Sequence, residues 1–266
     1  MAAVYVGVVR YRELFANLLR RDVQAKYRGS LLGVAWTLAN PVLLMAVYLL
    51  VFSVLWTTPF GSQGHYALFL LVGLSAWLFF ATSVQSASRS MLDNANLIRK
   101  TRFPRQLVPL SIVATQLISF AVMLVVLIVL NGALLPRVRG TEWVAIPVAL
   151  GVVALTAGLA LAIAALDVLF RDIEFLVAAL LLPLFFLTPV LYPLDSPKIS
   201  QHQTLVEVIH WGNPLAPAIE ALRDPLFYGQ LPRAADAIYV AVAAVVSLAL
   251  GAFVFNRVDD QIAVEV

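Results

Sequence analysis

The sequence predicts an all-α membrane protein: six transmembrane helices, an amphipathic N-terminal helix at the interface, short re-entrant helices between spans five and six, and both termini in the cytoplasm. Three observations predict this class. The chain is 62% hydrophobic and only 12% charged, with a mean hydropathy of +0.91, whereas a soluble domain carries about 25% charged residues. Charge is also segregated: no Asp, Glu, Lys or Arg occurs between Arg28 and Arg89. Finally, six uncharged stretches reach the length of about 20 residues that a helix needs to cross the hydrocarbon core: Val34–Trp56, Tyr66–Ser88, Gln106–Leu135, Trp143–Leu166, Phe175–Leu194 and Ala237–Asn256.

Ahead of the first span, residues 1–33 read as a cytoplasmic segment. In Val8–Leu19 the side chains of Val8, Tyr11, Leu14, Phe15 and Leu18 share one sector of a helix, and Arg10, Glu13, Asn17, Arg20 and Arg21 take the other. Such a helix is expected in the membrane interface, its cations near anionic headgroups. Asp22 falls on the apolar sector, with Lys26 within i+4 pairing reach.

Pro41, Pro109, Pro147, Pro183 and Pro189 lie inside the spans, which membrane helices tolerate because neighbouring groups satisfy the freed carbonyls. Pro183 and Pro189 together predict a kinked or broken fifth span. Thirteen of the 18 Lys and Arg residues fall in the N-terminal segment, the Arg89–Arg105 loop, the Asp167–Glu174 turn and the C-terminal tail 257–266. The positive-inside rule puts those segments in the cytoplasm.

In the Arg89–Arg105 loop, Asp93 or Asn94 is placed to cap a short helix that exposes Leu97 and Ile98, a pattern suited to docking another protein. Phe103-Pro104 ends it. In the turn "FRDIEF", Arg171 and Asp172 are expected to pair with each other or with a neighbour. The external segment 195–236 spaces Leu215, Ile219, Leu222 and Leu226 as a helix does, which predicts two short helices dipping into the outer leaflet.

Several chemistries are excluded. The chain has no cysteine, only three histidines and no HExxH spacing. None of its lysines stands in a GxxxxGK[ST] setting, so it has no loop to cradle nucleotide phosphates. The six stretches contain no ionisable residue, which argues against proton relays and against membrane hydrolases. The net charge of +3 is small, and its distribution points to membrane lipids rather than nucleic acid. No secretory leader and no internal repeat is evident. A transport architecture without its own energy source borrows energy from a partner. The aromatic residues Tyr48, Phe52, Trp56, Phe185 and Tyr192 pack the core or line a conduit, where sugar C–H faces stack on rings.

Four stretches in order, "LLRRDVQAKYRGSLLGVAWTLANP", "NANLIRKTRFPR", "FRDI" and "GNPLAPAIEALRDPLFYG", resemble the membrane subunit of type-2 ABC polysaccharide exporters, the O-antigen, teichoic acid and capsule export permeases. The likeness runs along essentially the whole chain. It implies a homodimer with two copies of a cytoplasmic ABC ATPase, in the bacterial cytoplasmic membrane. The chain itself would be no enzyme and would hold no cofactor or metal, with ATP and Mg on the partner. Residues 34–256 would form the six-span domain, with a coupling loop at 89–105. The resemblance gives Asn94, Asn96, Leu97, Ile98, Arg99 and Lys100 the ATPase contact. Arg20, Arg21 and Arg28 become candidates for a diphosphate headgroup. Spans one and five would form the conduit, with Tyr48, Phe52, Trp56, Phe185 and Tyr192 as candidate lining. The segment 195–236 would form the gate, with Asn213, Glu220 and Arg223. The implied substrate is a polysaccharide on a polyprenyl diphosphate lipid, moved from the inner to the outer leaflet. A type-2 ABC subunit for a drug or small lipid is the alternative. The first external hairpin, Thr57–His65, is short and uncharged, a departure that puts lipid recognition there in doubt.

Overall fold

The computed structural model describes residues 11–28, 35–51, 66–101, 103–194 and 203–265. Phe52, Trp56, the hairpin Thr57–His65 and the start of the 195–236 segment lie outside the described residues.

Every regular element among the described residues is helical. Helix α1 is Arg12–Tyr27, and α2, Trp36–Leu49, follows in the first span. Tyr66–Ser88 forms α3. The loop after α3 holds two short helices, α4 (Ser90–Asp93) and α5 (Ala95–Lys100). Helices α6 (Leu107–Leu134), α7 (Ala145–Leu169) and α8 (Ile173–Leu187) come next. Beyond the break, α9 (Gln203–Gly212) and α10 (Leu215–Arg223) precede a π turn at Asp224–Tyr228 and the long α11 (Ala234–Glu265).

Among the described residues, four segments are long and apolar enough to cross a membrane: Tyr66–Ser88, Leu107–Leu134, Glu142–Leu169 and Ala234–Asp259. Helices α2 and α8 are apolar but shorter, at 14 and 15 residues. The fifth predicted span therefore breaks, and it does so one residue before Pro189. Thr188 is already extended, with ψ 135°, because the residue ahead of a proline avoids the helical region. The sixth helix runs on through the residues expected to form a tail.

Helix α3 is apolar on all sides and is buried along most of its length, from Leu68 to Ser88. It is the axis of the molecule. The main core joins its Leu70, Leu74 and Trp77 to Phe120 of α6, Val152 of α7 and Phe185 of α8. The tightest crossing is between α7 and α11. Gly158 faces the backbone of Ser247 and Leu248, and Gly251 faces the Gly158 carbonyl, so a Cβ at either position would overlap main-chain atoms. Close contact between small residues supplies the dispersion energy that holds helices together where lipid removes the hydrophobic drive. Ser247 adds a hydroxyl bond to the Leu155 carbonyl at 2.7 Å.

Helix α1 rises alongside α6 in the same direction. Ser111 donates to Asp22 Oδ2 at 3.0 Å, and one turn later Lys26 Nζ donates to Gln116 Oε1 at 2.6 Å and to Ser119 Oγ at 2.8 Å. This contact explains why Asp22 sits among the apolar residues: that sector faces α6, not lipid. Asp22 also holds Arg21 at 2.8 Å.

Replacing Gly158 by Leu is expected to force α7 and α11 apart, at a cost of about 1–3 kcal/mol typical of overpacking. Thermal unfolding of the detergent-solubilised variant checks this, and an unchanged midpoint would refute the crossing.

Candidate functional site

The residues singled out in the sequence gather at three levels: the end that carries α4 and α5, an aromatic middle and the opposite end around Arg223.

At the first of these ends, α5 is a six-residue helix whose two faces differ. Ile98 is buried in a cluster with Met91, Val108, Leu161, Val168 and Phe255. Leu97 is only partly covered, and Asn96, Arg99 and Lys100 are exposed. The expectation that Ile98 is exposed is thus corrected: it anchors α5 to the ends of α6, α7 and α11. Asn94 takes the N-cap position, but its side chain makes no cap; it is buried and donates back to the Ser90 carbonyl at 2.8 Å. The helix stops at Lys100, and Thr101 is extended.

The turn after α7 also differs from expectation. Arg171 and Asp172 are exposed there. Its polar order comes from Asp167, buried at the end of α7, which accepts the Glu174 backbone N–H at 2.9 Å, and from Arg89, within 3.5 Å of Glu174 and 3.7 Å of Asp93. Arg105 pairs with Asp259 at 3.0 Å and Gln106 with Asn256 at 2.6 Å, tying the extended end of α11 to the segment between α5 and α6. Arg20, Arg21 and Arg28 are all exposed.

In the middle, helices α2 and α8 meet through rings. Tyr48 stacks on Phe185 with centroids 5.8 Å apart, and Trp77 of α3 stands 5.3 Å from Phe185. These three residues line a cavity of about 290 Å³ together with Leu44, Leu181 and Leu182. Phe185 is nearly fully buried, whereas its neighbour Phe186 is exposed. Tyr192 lies beyond the break and donates to the Phe186 carbonyl at 3.0 Å. Trp77 was not among the predicted lining residues. Its place in the middle of the apolar run Tyr66–Ser88 gave no sign of which neighbour it would meet.

At the opposite end Arg223 is the centre. Its side chain has no exposure at all. It donates to the carbonyls of Pro189 and Val190, the latter at 2.6 Å, and to Glu220 Oε1 at 2.9 Å. Its guanidinium carbon lies 3.6 Å from the centre of the Phe69 ring, in cation–π contact. Gly73 makes room for it, since a Cβ there would lie 2.7 Å from Nη2. Burial pulls the guanidinium's pKa down, and Glu220 is the chief group opposing that; arginine keeps its charge even so.

Asn213 holds the same break from the other side. Its amide donates to Thr188 Oγ1 at 2.7 Å, and its oxygen accepts the Leu215 N–H at 3.1 Å. Leu215, Ile219, Leu222 and Leu226 are buried, as their spacing predicts. His210 bonds Asp236 at 2.7 Å, and Asn131 and Arg137 donate to the Leu226 and Phe227 carbonyls at 2.7 and 2.9 Å. The three predicted gate residues therefore belong to one packed unit.

An all-helical bundle with several apolar helices long enough to cross a bilayer is a multi-pass membrane protein. The chain belongs to the ABC-2 type transporter family, whose profile matches residues 13–227. It is an integral, multi-pass protein of the inner membrane. It is 34% identical to the O-antigen export system permease protein RfbA of Myxococcus xanthus, over 96% of this chain and 95% of that one. Two Klebsiella pneumoniae proteins of the same name are each 31% identical, over 82% of both chains.

Replacing Arg223 by Met leaves Glu220 and two carbonyls without their donor. A loss of about 3–5 kcal/mol is expected, as for a broken buried pair. Chemical unfolding in detergent measures it, and wild-type stability would remove Arg223 from the support of its end of the bundle.

Proposed function

We propose that this chain is the membrane subunit of an ATP-driven exporter that moves an O-antigen-like polysaccharide, linked to a polyprenyl diphosphate, from the cytoplasmic to the outer leaflet. It would act as a homodimer with two cytoplasmic ATPase subunits. The near end-to-end likeness to O-antigen export permeases carries this reading.

Other features support it. Six spans follow if α2 and α8 count as short or broken spans beside the four long ones. The basic segments then lie in the cytoplasm. The surface of α5 offers Asn96, Arg99 and Lys100 to the ATPase, while Ile98 and Asn94 face inward and carry its motion to the bundle. The conduit forms where α2 and α8 meet, with Tyr48 and Phe185 among its aromatic residues. Asn213, Glu220 and Arg223 work as the frame of the outer gate, not as groups that contact sugar. A break held by Arg223 gives the fifth span two joined parts, the kind of element that can adopt two arrangements.

Deleting the gene from its own strain is expected to abolish surface O-polysaccharide while intracellular lipid-linked polymer accumulates, and the intact gene to restore export. Gel analysis of both pools checks this; unchanged surface polymer in the deletion would overturn the function. In the restored strain, Arg99→Glu with Lys100→Glu is expected to leave thermal stability unchanged and to weaken ATPase co-purification about tenfold or more, the result of reversing two rim charges. Full co-purification would take the contact away from α5.

A further inference from the structure

Beside α1 lies a cavity of about 540 Å³, between α1, α2, α3 and α6. Most of its wall is apolar, from Trp36, Phe79, Phe120 and Met123. Into this wall the fold inserts a cation and a set of amides and hydroxyls: Lys26, Asn40, Ser75, Gln85, Gln116 and Ser119. Lys26 meets α6 at Gln116, nine residues past Leu107, which is roughly 13 Å along that helix at 1.5 Å per residue. Lys26 is exposed as well as lining the cavity, so its ammonium stands where an incoming anion can reach it.

The chemistry of the wall selects the ligand's sign. No Asp or Glu lines this cavity among the described residues, so it suits no metal ion or amine. The partners of Lys26 on α6 are neutral oxygens. Gln116 accepts through Oε1, which leaves its NH2 as a donor, and Asn40 and Gln85 supply amides of the same kind. Burial lowers the Lys26 pKa, and an arriving anion would reverse that. Arg20 and Arg21 are poorer candidates, because Asp22 already neutralises Arg21 and neither lines the cavity.

We propose that this cavity receives the phosphate headgroup of a membrane lipid, with Lys26 as its cation and the amides of Asn40, Gln85 and Gln116 as donors. The identity of that lipid as a polyprenyl diphosphate rests on the export reading above; the phosphate chemistry does not. Lys26 then replaces Arg20, Arg21 and Arg28 as the principal headgroup contact.

The chain has only three lysines, Lys26, Lys100 and Lys198, so amine labelling followed by peptide mass analysis can read Lys26 against Lys100 in one sample. The full chain in neutral-lipid nanodiscs would be labelled alone and with undecaprenyl diphosphate, phosphatidylglycerol, inorganic pyrophosphate or neutral undecaprenol. Bound phosphate that raises the Lys26 pKa by about one unit slows its labelling about tenfold, with Lys100 unchanged. Protection by undecaprenyl diphosphate alone identifies the export lipid. Protection by phosphatidylglycerol as well supports a general phospholipid site. Protection by free pyrophosphate alone, by undecaprenol, or by none of them overturns the proposal. Native mass spectrometry supplies the second readout: Lys26→Gln is expected to bind the protecting lipid about tenfold more weakly, the loss of one charge-assisted hydrogen bond, and Lys26→Arg to retain it. Equal binding by wild type and Lys26→Gln also overturns it. Because gene deletion tests export separately, a strain that exports polymer while Lys26 stays unprotected sinks the pocket and leaves the function standing. A protected Lys26 in a protein that exports nothing does the reverse.

Discussion

The guanidinium of Arg223 holds together the part of the molecule that is hardest to build in lipid. A helix that stops inside an apolar bundle leaves carbonyls with no water to satisfy them, at a cost of several kcal/mol each. The fifth apolar helix stops at Leu187, and the Pro189 and Val190 carbonyls lie just beyond it. Arg223 reaches them from the end of α10, while Glu220 and the face of Phe69 offset its own desolvation. One side chain thereby joins α3, the end of α8 and α10. The hydrogen bond from Asn213 to Thr188 makes the same joint a second time.

The two ends of the bundle use different physics. Around Arg223 the order is polar and buried: Arg223, Asn131, Asp236 and Thr188 are each held by at least one hydrogen bond, while Asn131 Oδ1, Arg223 Nε and Asp236 Oδ2 are left without one among the described residues. At the opposite end the ion pairs are largely exposed, such as Arg89 with Asp93 and Glu174, and each is worth little alone. There an apolar cluster does the fixing, with Ile98 packed against Val108, Leu161 and Phe255. A force applied to α5 is therefore borne by α6, α7 and α11 through close-packed side chains, which transmit displacement because they leave no voids to absorb it. The end around Arg223, locked by directional bonds, yields only by exchanging one bonded arrangement for another.

Helix α1 shows how little charge a membrane-facing segment needs to be specific. Leu18 is buried, Asp22 bonds Ser111 and Arg21, and Lys26 bonds Gln116 and Ser119. Three positions one turn apart set the line along which α1 climbs α6. Arg20 and Arg28, equally basic in the sequence and as exposed as Lys26, do not share that face. The difference is registry: spacing of four keeps Leu18, Asp22 and Lys26 on one face.

By itself the sequence determined the solvent and the periodicity. Charge-free runs of span length, the basic loops between them and the 3.6-residue spacing of Leu215, Ile219, Leu222 and Leu226 are local or additive properties, and they fixed helices, core faces and the break before Pro189. Tertiary structure decided which polar residue meets which. Nothing near Arg223 in the chain tells that it will bond carbonyls some thirty residues earlier, and Ile98 reads as exposed until α6, α7 and α11 close over it. Lys26 stood in a run of four basic residues with no mark to separate it from the others. Its role depends on Gln116 and Ser119, ninety residues away, because a hydrogen bond is set by distance in space, and only packing brings those atoms within reach.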